Sequence, residues 1–401
     1  MTSRERVLAA LHHQASDQVP LDLGGTESSG LTAMAYNTLR RHLGLSAGNT
    51  QVFDVYQQVV KIEDDLRAML KLDTIPLLLE PRKWKPFTLS DGSACQIPAG
   101  WNPLREGDDW VVRDANGHAM ARMPGGGFYF EPIYAPLAEA QSVADLEQAA
   151  ADIDAFDWPS FADESLDELE ARARHLYETT GYAIVFNLQC HLLAAGQGLR
   201  GYETFMMDLL AEPAIAHALL DRLTEAYIRR CERLLTRLGR YVQVLLFNDD
   251  LGTQNGPMLS QDCYRRMILP YQKRLFGHVK RRWNIPILFH SCGAVSEFIP
   301  SLIEAGIDAL NPVQVSAAGM DSAELKRRYG KDLTFWGGGC NTQAVLNRGI
   351  ATQIEAEVQR RIGDLAARGG FVFTQVHNIQ PDVPPQNVMA MIEAFHKYCR
   401  Y

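Results

Sequence analysis

No run in this sequence approaches the roughly 18 consecutive apolar residues that a membrane-spanning helix needs. The opening stretch, MTSRERVLAALHHQ, is polar and amphipathic and carries no apolar core of the kind that marks a secretion signal. Basic clustering is missing too. The 39 Lys and Arg residues are scattered, 48 Asp and Glu outnumber them, and the formal net charge is −9. That distribution argues against a nucleic-acid or anionic-membrane partner and for a small-molecule substrate. Cysteine is sparse and odd in number: seven residues, at 95, 190, 231, 263, 292, 340 and 399, with no compact framework spacing. Reduced thiols in a cytoplasm are the expectation. No helix-opening GxGxxG and no Walker lysine occur, so nucleotide binding has no support. The sequence shows no internal repeat.

What is present is a rhythm. From about residue 180 onward, short β-branched apolar runs alternate with segments of helical period, the signature of βαβ units around a buried parallel sheet. The expected strands are 183–188, 242–247, 285–289, 308–310, 333–336 and 371–376, with two more upstream at 19–23 and 74–79. The outer helices are expected at 214–237, 262–282, 295–305 and 352–367. Eight strands close a barrel, so the predicted fold class is α/β, a (β/α)8 TIM-type barrel with a β-hairpin insertion, as a single domain over 1–401. The insertion is placed at about 81–135, where Asn116-Gly117 sits between alternating segments as a type I′ turn would require. The stretch 136–170, rich in Ala, Asp and Glu, reads as a solvated helical connection.

A barrel of this kind carries its active site at the C-terminal ends of the strands, so the polar residues after each apolar run are the first candidates. His290-x-Cys292 is the sharpest of them. An imidazole and a thiolate two residues apart can grip one zinc ion, which favours N and S ligands, and either His377 or Cys340 could supply a third ligand. The bland alternative is a hydrogen-bonded structural His290 with Cys292 and Cys340 as small buried apolar groups. Asp249 and Asp250 form a second constellation. Strand alternation would turn only one of them inward, and burial or like charge could raise the pKa of one carboxyl. Capping or ion pairing is an equally good use of such a pair. Asn248, Asn311 and Asn378 stand at strand ends as candidate cofactor contacts, and Gln314 as a substrate-orienting group. Cys190-His191 is adjacent in sequence, so its side chains would diverge on an extended segment.

The ordered series RERVLAALHHQASDQVPLDLGG, NDDLGTQNGPMLS, FHSCGAVSEFIPSLIEAGIDALNPVQ, TFWGGGCNTQAVL and HNIQPDVPPQNV resembles the uroporphyrinogen decarboxylase superfamily along nearly the whole chain. That superfamily holds true decarboxylases and zinc methyltransferases that move a methyl group between a corrinoid and a thiol or other acceptor. The decarboxylases' arginine-bearing N-terminal motif is matched here by Gly24–Gly30, which has no arginine. An octacarboxylate substrate would want several guanidinium forks. His290 and Cys292 match the methyltransferases' HxC. Their third ligand, a cysteine four residues before a proline, is matched in position by His377 with Pro381, while Cys340 and Asn341 depart from the family's GG-x-D-T-Q motif. The resemblance therefore implies a zinc-dependent methyl transfer or demethylation, a Zn²⁺ cofactor, and a corrinoid carried by a partner protein. A homodimer is compatible with it. Two rivals stay open: a metal-independent decarboxylase acting on a small acid, and a non-catalytic corrinoid- or tetrapyrrole-binding protein.

Overall fold

A computed structural model describes residues 1–156 and 161–401 of the chain. Among these, seven parallel strands form one sheet in strict chain order: β1 (Thr74–Leu77), β2 (Ala183–Asn187), β3 (Val244–Asn248), β4 (Ile287–His290), β5 (Ala309–Asn311), β6 (Thr334–Trp336) and β7 (Phe371–Val372). Each lies within or one residue beyond the apolar run that marks it in the sequence. The sheet is of TIM type, with helices such as Pro213–Leu238 and Ala351–Leu365 following the strands.

The 19–23 run, expected as a strand, pairs only at Leu21, yet it is bonded to both edges of the sheet. Leu21 bridges Phe373 in parallel, Phe373 N donates to Pro20 O, and Asp73 N, just before β1, donates to Leu21 O. Asp22 fastens this segment further. It is fully buried, and its carboxylate accepts from Trp336 Nε1 at 2.8 Å, Thr74 Oγ1 at 2.5 Å and Gly25 N at 2.8 Å.

Period-two alternation divides the strand residues between two cores. Ala183, Val185, Val244, Leu246, Leu288, Ala309, Trp336 and Val372 pack together inside the sheet, against Val7, Ala10 and Leu11 of the N-terminal helix Ser3–Leu11. Ile184, Phe186, Leu245, Phe247, Ile287, Phe289, Leu310 and Phe335 belong to the larger cluster shared with the outer helices. The alternation also aims the strand ends. Asn187, Asn248, His290 and Asn311 continue the inner set, and Asp249 continues the outer one.

Prolines, which lack the N–H to extend a preceding turn, alter two of the expected helices. The 262–282 segment is split into Gln261–Met267 and Leu269–Trp283 around Pro270, and the helix expected from 295 starts at Ile299, before Pro300. Between β1 and β2, antiparallel strands fill 84–132: a pair, Trp84–Thr88 with Ala94–Pro98, and a four-stranded sheet of Pro103–Glu106, Asp109–Arg113, Ala119–Met123 and Glu131–Pro132. The turn at Asn116-Gly117 is not type I′. Gly117 N donates to Asp114 O and only Gly117 has positive φ, so Ala115 and Asn116 occupy the turn's centre and Gly117 follows as a left-handed residue. The 136–170 stretch contains the short helices Val143–Gln148 and Ala150–Ala155 and the start of Leu166–Thr179; its residues 157–160 lie outside those described.

Asp22→Ala should therefore lower stability to urea by about 2–4 kcal/mol, because it strips the buried Trp336 indole and Thr74 hydroxyl of their acceptor at once. A loss below about 0.5 kcal/mol, the range of ordinary surface substitutions, would show that the 19–23 segment does not hold the two edges together.

Candidate active site at the C-terminal ends of the strands

The ends of β3 and β4 are stitched into one unit. Asp249 N donates to His290 O at 3.0 Å, Leu251 N to Ser291 Oγ at 2.9 Å, and Ala294 N to Thr253 O at 2.8 Å. The two loops touch backbone to backbone. A Cβ on Gly293, whose φ is +85°, would stand 2.4 Å from the Gly252 carbonyl carbon, so both positions demand glycine. This contact brings Asp250 against the 290–292 segment, where its Oδ1 accepts from Cys292 N at 2.8 Å.

His290 Nε2 lies 3.4 Å from Cys292 Sγ and 3.7 Å from Asp250 Oδ1. Among the described residues, Asp250, His290 and Cys292 are the one group of three His, Cys or acidic side chains whose ligand atoms all fall within 4.8 Å of one another. Asp250 was expected as a catalytic carboxylate, and the structure adds it to the donor set. On the far side of the imidazole, Nδ1 is 2.7 Å from Asn311 Oδ1. The Asn311 amide cannot turn round, because its Nδ2 donates to Trp336 O at 3.0 Å and its Oδ1 also accepts from Ser28 Oγ at 2.6 Å. An acceptor at Nδ1 places the proton there in the neutral ring and leaves the Nε2 lone pair facing Cys292 and Asp250. Burial, with Asp250 second, pushes the Cys292 thiol well above its usual range.

The other expected residues fall into distinct places. Asp249 is buried and turned toward the helix Leu192–Arg200, where its carboxylate accepts from Leu192 N and Ala194 N, both at 3.0 Å. Burial raises its pKa to about 7 against the lowering effect of those amides. Gln314 accepts from Gly293 N at 2.8 Å and donates to Gln254 Oε1 at 2.8 Å, which holds the 291–294 loop in place. His377 borders the same cavity as His290 and Cys292 but stands outside the three-residue group, with burial holding it below its usual pKa. Cys340 is fully buried in the outer core, and its thiol feels Glu357 and Arg361 of the helix Ala351–Leu365. The structure does not bring it to the cluster: past Gly337 and Gly338, both at positive φ, the chain runs on beside the last strand, with Gly339 N on Thr374 O and Val376 N on Cys340 O, and the thiol stays in the outer core. Asn248 lines the mouth, and Asn378 is buried with its Nδ2 on Gln57 Oε1 at 2.7 Å.

Three cavities adjoin at the mouth. A central one of about 410 Å³ is bordered by Asp250, His290, Cys292, His377, Glu27 and Ser28. A second, of about 430 Å³, shares Glu27, Gln57, His191, Asn248 and Asp250 with it. A third, of about 470 Å³, shares Tyr129 and His377 and is rich in side-chain amides, including Gln314, Gln343, Asn347 and Gln380. Glu27, Asp54 and Tyr129 were not singled out by sequence reasoning. Glu27 lies inside the Gly24–Gly30 motif that was read only for its missing arginine. Its carboxylate accepts from Asn187 Nδ2 at 2.8 Å, and burial raises its pKa to about 7, with Asp54 adding to the rise. Burial depresses His191 to about 3, with Arg230 and His290 contributing.

The family profile described as Uroporphyrinogen decarboxylase (URO-D) matches residues 186–398. The uroporphyrinogen decarboxylase of Geobacter metallireducens is 27% identical over 216 residues, 53% of this chain and 57% of that protein. That of Citrifermentans bemidjiense is 28% identical over 218 residues, 54% of this chain and 58% of the relative. The chain thus spans a little over half the length of the curated relatives it matches. Among solved structures, a methyltransferase from Methanosarcina mazei superposes with a TM-score of 0.59 over 99% of both chains at 16% identity, a likeness of fold.

Glu27 yields a pH prediction. Its folded pKa exceeds the unfolded value, so between about pH 4.5 and pH 7 the folded state binds more protons and stability falls as pH rises. Glu27→Gln should flatten that slope in urea titrations across the window. An unchanged slope would mean the Glu27 carboxyl is not strained by burial.

Proposed function

This chain belongs to the uroporphyrinogen decarboxylase family, and from that membership we propose that it is a zinc-dependent methyltransferase. It moves a methyl group between a small substrate or a methylated corrinoid and a thiol or other acceptor, with the corrinoid carried by a partner protein. The observation that carries this reading is the mixed N, S and O donor set of His290, Cys292 and Asp250 at the strand ends. Those donors fit Zn²⁺, and three protein ligands with a further position open is the pattern of catalytic zinc. When bound, zinc supplies a lowered pKa for a coordinated thiol or Lewis-acid polarisation of a substrate heteroatom.

The chain's own residues supply orientation. Asn311 fixes the His290 tautomer that leaves Nε2 as a donor, the role that outer-shell hydrogen bonds serve at metal sites. The Cys292 backbone N–H holds the Asp250 carboxylate against the imidazole. Gln314 steadies the loop carrying Cys292 through Gly293 N. His377 borders the central cavity outside the three-residue donor set and is assigned to contact a reactant rather than to hold the ion. The two flanking cavities, which share different residues with the central one, give donor and acceptor separate approaches to that centre.

A polycarboxylate substrate fits poorly. Neither cavity bordered by Asp250 includes a lysine or arginine among its described lining residues, whereas several carboxylates call for guanidinium forks.

Purified protein should hold about one zinc per chain, as a three-ligand site requires. Cys292→Ser and His290→Ala should each remove most of it, and Asn311→Ala should weaken zinc affinity by about 10–100-fold. Elemental analysis after dialysis, with a methyl-transfer assay from a methylated corrinoid to a thiol, checks this. Equal, negligible zinc in wild type and Cys292→Ser would remove the mechanism.

A further inference from the structure

The cavity that borders Asp250 but not Cys292 has a wall for which the methyl-transfer reading specifies no ligand chemistry. At about 430 Å³ it is the size of a small-molecule site. Its lining combines the carboxylates of Glu27, Asp54 and Asp250 with the rings of Phe53, Tyr56 and Phe130. The rings are braced from behind: Trp101 packs edge-on against Tyr56 at 5.6 Å and against Phe130 at 5.1 Å. No lysine or arginine stands in this wall among the described residues.

Among the described residues, the two inner carboxylates are held by neutral donors. Glu27 Oε1 accepts from the Asn187 amide, and Asp54 accepts from Tyr56 N, Gln57 N and Gln57 Nε2. Arg230, which acts on His191 electrostatically, is not in the wall and donates to Gln189 O at 3.0 Å. Asn248 lines the same cavity, and its Oδ1 is a buried acceptor with no hydrogen-bond partner among the described residues. Partly buried carboxylates without a counter-charge are costly. An anionic ligand would add repulsion, and a neutral one would leave the charges uncompensated. A cation answers both, and electron-rich ring faces attract it further when its charge is spread over methyl groups rather than tied to water.

We propose that this cavity binds a small organic cation, a methylated quaternary ammonium of about choline's size, with its charge held by Glu27 and Asp54 and its methyl groups against Phe53, Tyr56 and Phe130. That the cation is also the methyl-bearing substrate rests on the methyl-transfer reading; its binding does not.

Calorimetric titration of the full chain with choline, and with the uncharged isostere in which carbon replaces the nitrogen, tests the charge on the unmodified protein. Choline should bind at least about tenfold more tightly than the isostere, the size of a desolvated cation–π contact of ordinary strength. Glu27→Gln and Asp54→Asn should each weaken choline by a similar factor. Equal binding of charged and uncharged forms, or no detectable choline binding, overturns the proposal. Choline binding to a protein that proves free of zinc would keep this site and remove the metal-centred function. Zinc binding without choline binding would do the reverse.

Discussion

One amide governs the mouth of this protein. Asn311, pinned by the Trp336 carbonyl, presents its oxygen to His290 Nδ1 and so decides which imidazole nitrogen is free. Were that oxygen lost, the ring could take either tautomer, and the Nε2 lone pair would no longer be committed to Cys292 and Asp250. The remaining geometry serves the same end. The zipped loops after β3 and β4 carry Asp250 to Cys292, and the glycines at 252 and 293 permit the close approach that makes the zip possible. Rigid strands supply the positions, and the loops supply the chemistry.

Parity along the strands explains much of the division of labour. Side chains in register with Leu246 and Leu288 point inward, so Asn248 and His290 reach the mouth, while Asp249 falls in register with Phe247 and turns toward the surrounding helices. There it meets the first-turn amides of Leu192–Arg200, a natural seat for a carboxylate. Adjacent aspartates thus hold different jobs because a strand cannot point neighbours the same way.

That parity was legible in the sequence, as were the seven strands of the sheet and the pairing of His290 with Cys292. Other features were not. Cys340 follows a strand as His290 does, but three glycines intervene, and two of them take left-handed conformations that no side-chain pattern announces. The helix breaks at Pro270 and Pro300 were readable from proline chemistry, yet the apolar period running through them suggested longer helices. Asn116-Gly117 marked a turn correctly, but the hydrogen bond from Gly117 N to Asp114 O, set by the flanking register, fixed a different type. Glu27 and Asp54 join Asn187 and Asp250 only through tertiary closure, and nothing local distinguishes them from surface acids. The donor set of Asp250, His290 and Cys292 likewise depends on a contact between two loops about 40 residues apart, the spacing of one βα unit and its neighbour.

The most direct test of this arrangement is X-ray absorption at the zinc edge on metal-loaded protein. The account predicts a single sulfur at about 2.3 Å together with nitrogen and oxygen neighbours at about 2.0–2.2 Å, the sulfur vanishing in Cys292→Ser. A coordination shell without sulfur, or one with two sulfurs, would contradict it.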